Sequence, residues 1–360
     1  MSELDDALKK YNSLFKKPIV ATASDFKYAE IDRISFGDLA LDIETGGGVP
    51  RGKVTMIVGN ESTGKTTLTM HLIKQAQKLP GNVLFIDVEG TFDPAWAKTI
   101  GIDLDRLKLA VPDVGEQAVD ILELATRSNE CSLIILDSIA AMMPAAEISK
   151  PMVKMKQDGD YEAVAEQIGD RATMLNRGVR RLTSALNEIT ELGERNSTAI
   201  VLLNQFREKI GVMNANNEVI PGGRGIKFVS SMIMELRRPV SDGWMVVERE
   251  GREDEKDSTV QDKIGQHIRF RTLKNKTYVP FRSGTSYLYF DGPRKGQLDV
   301  EREVYVYSRL LGLLNETGKA VFKIDGKVLR GEDQVINYLM ENPRSMKDLE
   351  TQIRARYLKK

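Results

Sequence analysis

At 360 residues, with 41% hydrophobic and 29% charged side chains, the chain can bury a large core and reads as about two domains or one domain with appendages. Lys plus Arg and Asp plus Glu stand at 52 each, so net charge makes no case for a polyanionic partner and local charge has to carry it. No apolar run approaches the roughly 20 residues of a membrane-spanning helix, the opening Met-Ser-Glu-Leu-Asp-Asp carries acids where a signal peptide carries bases, and one cysteine (Cys131) with two histidines (His71, His267) excludes an internal disulfide and a clustered zinc site. A cytosolic protein without membrane contact is expected.

The opening segment places Leu4, Ala7, Leu8, Tyr11, Leu14 and Phe15 at three- and four-residue spacings, with Ser2 and Asp5 as an N-terminal cap pair. This predicts an amphipathic helix ended by Lys16, Lys17 and Pro18, whose stripe has to lie against its own core or a neighbouring subunit. From about residue 34, short β-rich runs at 54–58, 83–87, 133–137 and 199–204 alternate with helical stretches. The alternation predicts an α/β fold, a mostly parallel twisted sheet with helices on both faces. Runs at 232–236, 268–273 and 287–290 are expected to extend it as antiparallel strands. The acidic stretch 241–262 and the Gly/Asn-bearing stretch 211–225 are expected to be mobile loops. Beyond residue 326, residues 332–341 and 345–357 read as two helices separated by Asn342 and Pro343. The expected plan is an N-terminal helix and linker over 1–32, a core over 33–296, and a small C-terminal α+β or helical domain over 297–360.

The run 54–58 leads into Gly59-Asn60-Glu61-Ser62-Thr63-Gly64-Lys65-Thr66, followed by Thr67 and a helical pattern in Leu68, Leu72, Ile73, Ala76 and Leu79. A GxxxxGK(S/T) pattern between strand and helix is the phosphate loop of a nucleoside triphosphatase. Its glycines let the backbone curl so that amide hydrogens face phosphate oxygens, Lys65 neutralises the β and γ phosphates, and the Thr66 hydroxyl ligates magnesium. The run 133–137 is apolar until Asp137, which puts a carboxylate at a strand end where it can hold magnesium through water. The run 83–87 leads into Glu89, a candidate base for the water that attacks the γ-phosphate, with Asp87 read as structural. Gln205 ends the run 199–204, where an amide can sense the γ-phosphate and relay it to the following loop.

Beyond the phosphate loop, FIDVEGTFDPAWA from Phe85, PDVGEQAVDI from Pro112, LIILDSIAAMMPAAEI from Leu133, NQFREKIGVM from Asn204, GGRGIKF from Gly222 and LKNKTYVPF from Leu273 resemble the bacterial RecA recombinase family in order and spacing. The resemblance covers about residues 33–300 and implies a RecA-like P-loop NTPase core. It implies a DNA-dependent ATPase, using ATP and magnesium, that polymerises as a helical filament on single-stranded DNA and pairs it with homologous duplex DNA in strand exchange. Carried over by position, Gly59 to Thr67 form the phosphate loop, Glu89 is the base, Asp137 the magnesium-associated acid and Gln205 the γ-phosphate sensor. Asp93 and Trp96 fall where the family contacts adenine, Trp96 replacing a tyrosine, and Tyr289 matches a further base-side position. Lys274 and Lys276 match lysines that enter the adjacent subunit's ATP site, and Phe228 matches an interface aromatic.

The family's two DNA loops correspond to about 150–172 and 206–221. Lys209, Arg180 and the amides of Gly211, Gly222 and Gly223 are expected to hold phosphates, with Ile210 as an apolar wedge. The second loop lacks an aromatic found in the family's well-known member, and the first, with Lys150, Lys154, Lys156, Asp158, Asp160 and Glu162, departs further. Arg237, Arg238, Arg269 and Arg271 match basic positions of a second, duplex-holding site. Two other readings stay open from sequence: a hexameric DNA helicase on the same core, and a DNA-protecting filament scaffold.

Overall fold

The computed structural model describes residues 2–14, 31–148, 153–155, 161–163, 168–188, 196–208, 218–238, 244–250 and 259–358. Helix α1 (Glu3–Asn12) carries the expected capping box between Ser2 and Asp5. Among the described residues none of α1 is buried, and Leu4 and Leu14 are exposed at 64% and 74%, so its apolar stripe lies largely open to solvent. Phe15, Lys16, Lys17 and Pro18 lie outside the described residues.

The central sheet contains β1 (Val54–Gly59), β2 (Asn82–Asp87), β3 (Leu107–Ala110), β4 (Cys131–Asp137), β5 (Ala199–Asn204), β6 (Ser230–Arg237), β7 (Trp244–Glu250), β8 (Thr259–Asn275) and β9 (Ser283–Tyr289). Its order is β7-β8-β6-β1-β5-β4-β2-β3, with β9 also pairing β8. Strands β6 to β3 along that path run parallel, and β8 is antiparallel to β6, β7 and β9. Two expectations change here. Strand β6, expected to be wholly antiparallel, runs parallel to β1 and antiparallel only to β8. The stretch 241–262, expected to be a loop, contributes β7 and the start of β8, paired from Trp244↔Gln266 to Glu250↔Thr259. The strand-forming Trp-Met-Val-Val at 244–247 outweighs the charge density that suggested a loop.

Parallel strands covered on both faces read as continuous apolar runs, and this sheet follows that rule. In β1, Ile57 faces one core and Val54, Met56 and Val58 the other; β4 and β5 alternate in the same way. Helices α3 (Lys65–Ala76) and α4 (Pro94–Ile100) cover the first face. Helices α5 (Gly115–Ser128), α6 (Ile168–Asn187) and α7 (Gly223–Val229) cover the second. Full burial of each Leu, Ile or Val in these layers contributes about 2 kcal/mol.

Helix α6 takes in residues 168–172 of the expected first DNA loop, and Val153–Met155 pairs with Tyr161–Ala163 as a hairpin in which Lys154 stands opposite Glu162. Lys150, Lys156, Asp158 and Asp160 lie outside the described residues. Of the loop expected over 211–225, residues 211–217 lie outside the described residues, while Glu218–Val219 form a short strand and α7 begins at Gly223, where Gly222 and Gly223 start a helix instead of continuing a coil. A third core joins α8 (Val300–Leu310), α9 (Gly331–Glu341), α10 (Pro343–Tyr357) and a three-stranded sheet. Pro343, expected only to separate the last two helices, opens α10, where its missing N–H costs nothing. Helix α2 (Leu39–Thr45) adds Leu39 and Ile43 to this core, and Glu303 of α8 caps α2 by accepting from the amides of Leu39 and Ala40 at 2.8 and 3.2 Å.

Candidate active site

The carboxyl ends of β1, β2, β4 and β5 meet at one edge, where open parallel sheets place their ligands. Gly59 ends β1, and Ser62 (φ 57°) and Gly64 (φ 84°) take left-handed backbone that turns the chain into α3. A Cβ at Gly64 would stand 2.8 Å from Ile268 Cδ1, and one at Gly59 2.7 Å from the Leu236 carbonyl oxygen, so neither position admits a side chain without movement. No side chain caps α3, which leaves its first amides for an anion. Thr63 Oγ1 and Lys65 Nζ both donate to the Asn60 carbonyl, at 2.9 and 2.8 Å, which closes the loop on itself. Glu61 is exposed and Lys65 buried. Burial lowers the Lys65 pKa, while Asp137, Glu89 and Glu61 counter it.

Thr66 Oγ1 donates to Asp137 Oδ2 at 2.9 Å, joining the two residues expected at magnesium. Burial pushes the Asp137 carboxyl up to about 6; the Thr66 bond opposes that, Glu89 and Asp87 reinforce it, and Lys65 opposes it. A desolvated carboxylate beside a hydroxyl at a phosphate-sized turn is a donor set that suits a hard divalent cation, whose charge would offset the cost of burying Asp137. Asp87 is structural: its carboxylate accepts from the amides of Gly90, Thr91 and Phe92 at 2.9, 3.2 and 2.9 Å and shapes the turn after Glu89.

Glu89 Oε1 accepts from Ser138 Oγ and, at 3.3 Å, from Gln205 Nε2. The structure therefore brings the expected base and the expected sensor into contact. Ser138 had no role in the sequence reading; its one signal there was adjacency to Asp137. Asn204, fully buried, was also missed: its Nδ2 donates to the Pro221 carbonyl at 3.0 Å and its Oδ1 accepts from the Gln205 amide, so it fixes the exit of β5.

On the base side, Asp93 caps α4 through the amides of Ala95 and Trp96, and the Trp96 indole donates to Thr67 Oγ1 at 3.3 Å. Tyr289 donates to Asp299 Oδ2 at 3.0 Å under the Arg294 guanidinium, 4.6 Å from its ring. One turn joins the two aromatics: Lys295 Nζ lies 6.0 Å from the Trp96 ring and the Gly296 amide donates to the Tyr289 carbonyl.

The remaining expected residues lie elsewhere. Lys274 pairs across from Ile233, which is level with Met56, and the Lys276 amide donates to Ser231, near the start of β1. At roughly 3.3 Å per residue these lysines sit about 10–17 Å back along the strands from Gly59, remote from the phosphate loop of their own chain. Lys274 Nζ instead donates to the carbonyl of Lys227 at 2.5 Å, at the end of α7, and burial and Lys276 lower its pKa. Phe228 on the same turn is 72% exposed. Arg180 is exposed on α6, against which Gly225 of α7 packs, while Gly222 (φ 92°) and Gly223 (φ 73°) open α7 in left-handed backbone. Arg207–Glu208 pairs with Glu218–Val219, and Lys209, Ile210 and Gly211 between them lie outside the described residues. Arg237 is not a free cation as a duplex site would have it, because Glu218 and Glu235 both pair with it. Arg269 and Arg271 are exposed on β8. Among the described residues no helix is long and apolar enough to cross a membrane.

A family model described as the RecA N-terminal domain matches residues 2–293. The chain is 36% identical to Protein RecA of Streptomyces venezuelae over 98% of this chain and 84% of that protein. It is 34% identical to Protein RecA of Aquifex pyrophilus over 98% of this chain and 91% of that one, and 33% identical to Protein RecA of Thermus aquaticus over 98% and 94%. With the phosphate loop, the Thr66–Asp137 pair and the Glu89–Gln205 contact at one edge of a largely parallel sheet, and these likenesses spanning nearly the whole chain, the protein belongs to the RecA family.

Proposed function

We propose that this protein is an ATP-hydrolysing recombinase that assembles as a helical filament on single-stranded DNA and pairs it with homologous duplex DNA in recombination and repair. The observation that carries the reading is the Gln205–Glu89 contact at 3.3 Å, because it ties the candidate base to the strand end that leads into the second candidate DNA loop. Glu89 takes the proton of the attacking water, and Ser138 and Gln205 fix its carboxylate. Lys65 and the first amides of α3 hold the phosphates, Thr66 and Asp137 hold magnesium, and Asp93, Trp96 and Tyr289 bound the base. Magnesium, when bound, supplies charge neutralisation at the phosphate oxygens.

Lys274 and Lys276 cannot serve their own phosphate loop from where they stand, and in this reading they complete the ATP site of a neighbouring subunit. Exposed Phe228 and the exposed Leu4 and Leu14 of the α1 segment supply contacts to that neighbour. Arg180, Lys209, Ile210, Gly211, Gly222 and Gly223 are the DNA-binding residues of this reading. Membership of the family weighs against the helicase and scaffold readings. Joint-molecule formation between homologous single-stranded and duplex DNA, with ATP and magnesium, tests the proposal. Forked-duplex unwinding without joint molecules, or ATP turnover indifferent to single-stranded DNA, would overturn it.

A further inference from the structure

The two short strands Arg207–Glu208 and Glu218–Val219 form the legs of a hairpin that closes the second candidate DNA loop. The first leg reaches the candidate active site through Gln205, which contacts Glu89 and also accepts from Arg207 at 3.4 Å. The second leg reaches the same site by a separate route. Asn60 Nδ2, in the phosphate loop, donates to Glu218 Oε1 at 3.1 Å. Arg237 then joins the legs: it forms a bidentate pair with Glu218, its Nη1 lying 2.9 Å from Oε1, and its guanidinium lies 4.5 Å from the ring centre of Phe206.

Asn60 is free to play such a part. A phosphate cradle needs its glycines, Lys65 and Thr66, whereas the intervening positions offer backbone amides, so the side chain at residue 60 is unconstrained by phosphate chemistry. Residue 60 is also placed to register a phosphate. Lys65 Nζ donates to the Asn60 carbonyl, and a phosphate oxygen that recruits Lys65 competes for that same donor. A shift of residue 60 then bears on Glu218. The Glu218 carboxyl is held below its usual range by its bond to Arg237, so the partner presented to Asn60 is an anion fixed in position by a cation.

We infer that Glu218 is a positioning residue that couples the phosphate loop, through Asn60, to the second leg of the hairpin and to Arg237. This rests on the reading that the loop binds ATP and that the hairpin carries a DNA-contacting segment. The coupling runs in parallel with the Gln205–Glu89 contact, so nucleotide moves both legs of the hairpin together instead of one. By linkage it is reciprocal: DNA seated at the hairpin strengthens nucleotide binding by the same factor.

The test is a double-mutant cycle on coupling. Affinity of the full chain for fluorescent oligo-dT is measured with magnesium, with and without saturating non-hydrolysable ATP analogue, and the ratio of the two is the coupling factor. Glu218→Ala should bind a fluorescent ATP analogue as the parent does, yet lower the coupling factor roughly five- to tenfold. Asn60→Ala should lower it as well, and the double variant should fall no further than Glu218→Ala, since both remove one contact. Glu218→Gln still accepts from Asn60 and should retain more coupling than Glu218→Ala, which a merely structural role does not explain. An unchanged factor in Glu218→Ala, independent multiplying effects of the two substitutions, or loss of nucleotide binding in Glu218→Ala overturns the inference. A parent coupling factor of one would instead sink the function proposed above, and this coupling with it.

Discussion

The two ends of the parallel strands differ in how complete they are. At the carboxyl ends, Lys65, Thr66, Asp137, Glu89 and Gln205 already contact one another or the loop backbone within one chain. At the opposite end, around the exit of α7, exposed Phe228 and exposed Lys276 stand without a candidate substrate of their own chain. On the proposed function, an ATP site whose lysines lie remote from its own phosphate loop is half a site, and the lesson is that hydrolysis should depend on assembly in a way that nucleotide binding does not.

Substitution at each end should therefore give different signatures. Lys65→Ala removes the charge from the self-contained end, and ATP turnover should fall on the order of 10²–10³-fold with weakened nucleotide binding, measured by phosphate release and a fluorescent ATP analogue. Unchanged turnover would remove the cradle from the proposed site. Lys276→Ala belongs to the other end: binding of nucleotide to the dispersed chain should hold while DNA-stimulated turnover drops about 10²-fold. Equal loss of both would break the comparison. Lys276 makes the cleaner probe, because Lys274 also holds the carbonyls at the end of α7 and its removal would disturb Phe228.

What sequence revealed follows the same division. The cradle is legible because its chemistry is contiguous, a stretch of eight residues in which the two glycines, Lys65 and Thr66 have their types and spacing dictated by a phosphate. Asp137 and Glu89 could be found because strands end visibly where apolar runs end. The Asn60–Glu218 contact could not, since it spans 158 residues and either side chain alone is an ordinary polar surface residue. Nor could the role of Arg237: the sequence offers it as a DNA cation, and only the packing shows Glu218 and Glu235 on it. The stretch 244–250 was misjudged because charge on a strand looks like charge on a loop until its partner strand is known.

The comparison also separates two kinds of buried carboxylate. Asp137 faces the proposed magnesium site, whereas Glu303, equally withdrawn from water, is answered from within by the amides of α2. Burial, reinforced by neighbouring Asp38, raises the Glu303 carboxyl well above its ordinary range, and burial pushes Asp38 up to about 6. Folded values raised above unfolded ones mean stability that is full below about pH 4 and lost as pH rises through about 6. Glu303→Gln keeps an oxygen for the α2 amides and cannot ionise. It should raise the apparent melting temperature by about 2 °C at pH 8, roughly 1 kcal/mol, with the gain vanishing at pH 4. A gain equal at both pH values would show that ionisation of this residue is not what costs stability.

The smallest effect is expected where the cradle borrows a contact it can spare. Trp96 offers the base-side site two things, a ring face and an indole N–H that donates to Thr67 Oγ1 at 3.3 Å. The bond is long, neutral and half-buried, so its net worth is about 0.5 kcal/mol and its loss about twofold in affinity. Trp96→Phe deletes the donor and keeps an aromatic face, and titration with a fluorescent ATP analogue should show a two- to threefold weakening, on the order of 0.5 kcal/mol. Trp96→Ala removes the face as well and should weaken binding further, because an aromatic stacked on a base contributes beyond its hydrogen bond. If the two variants weaken binding equally, the indole N–H and not the ring is what Trp96 contributes. If neither does, the base is held elsewhere, and the self-contained end of the molecule reduces to its phosphate contacts.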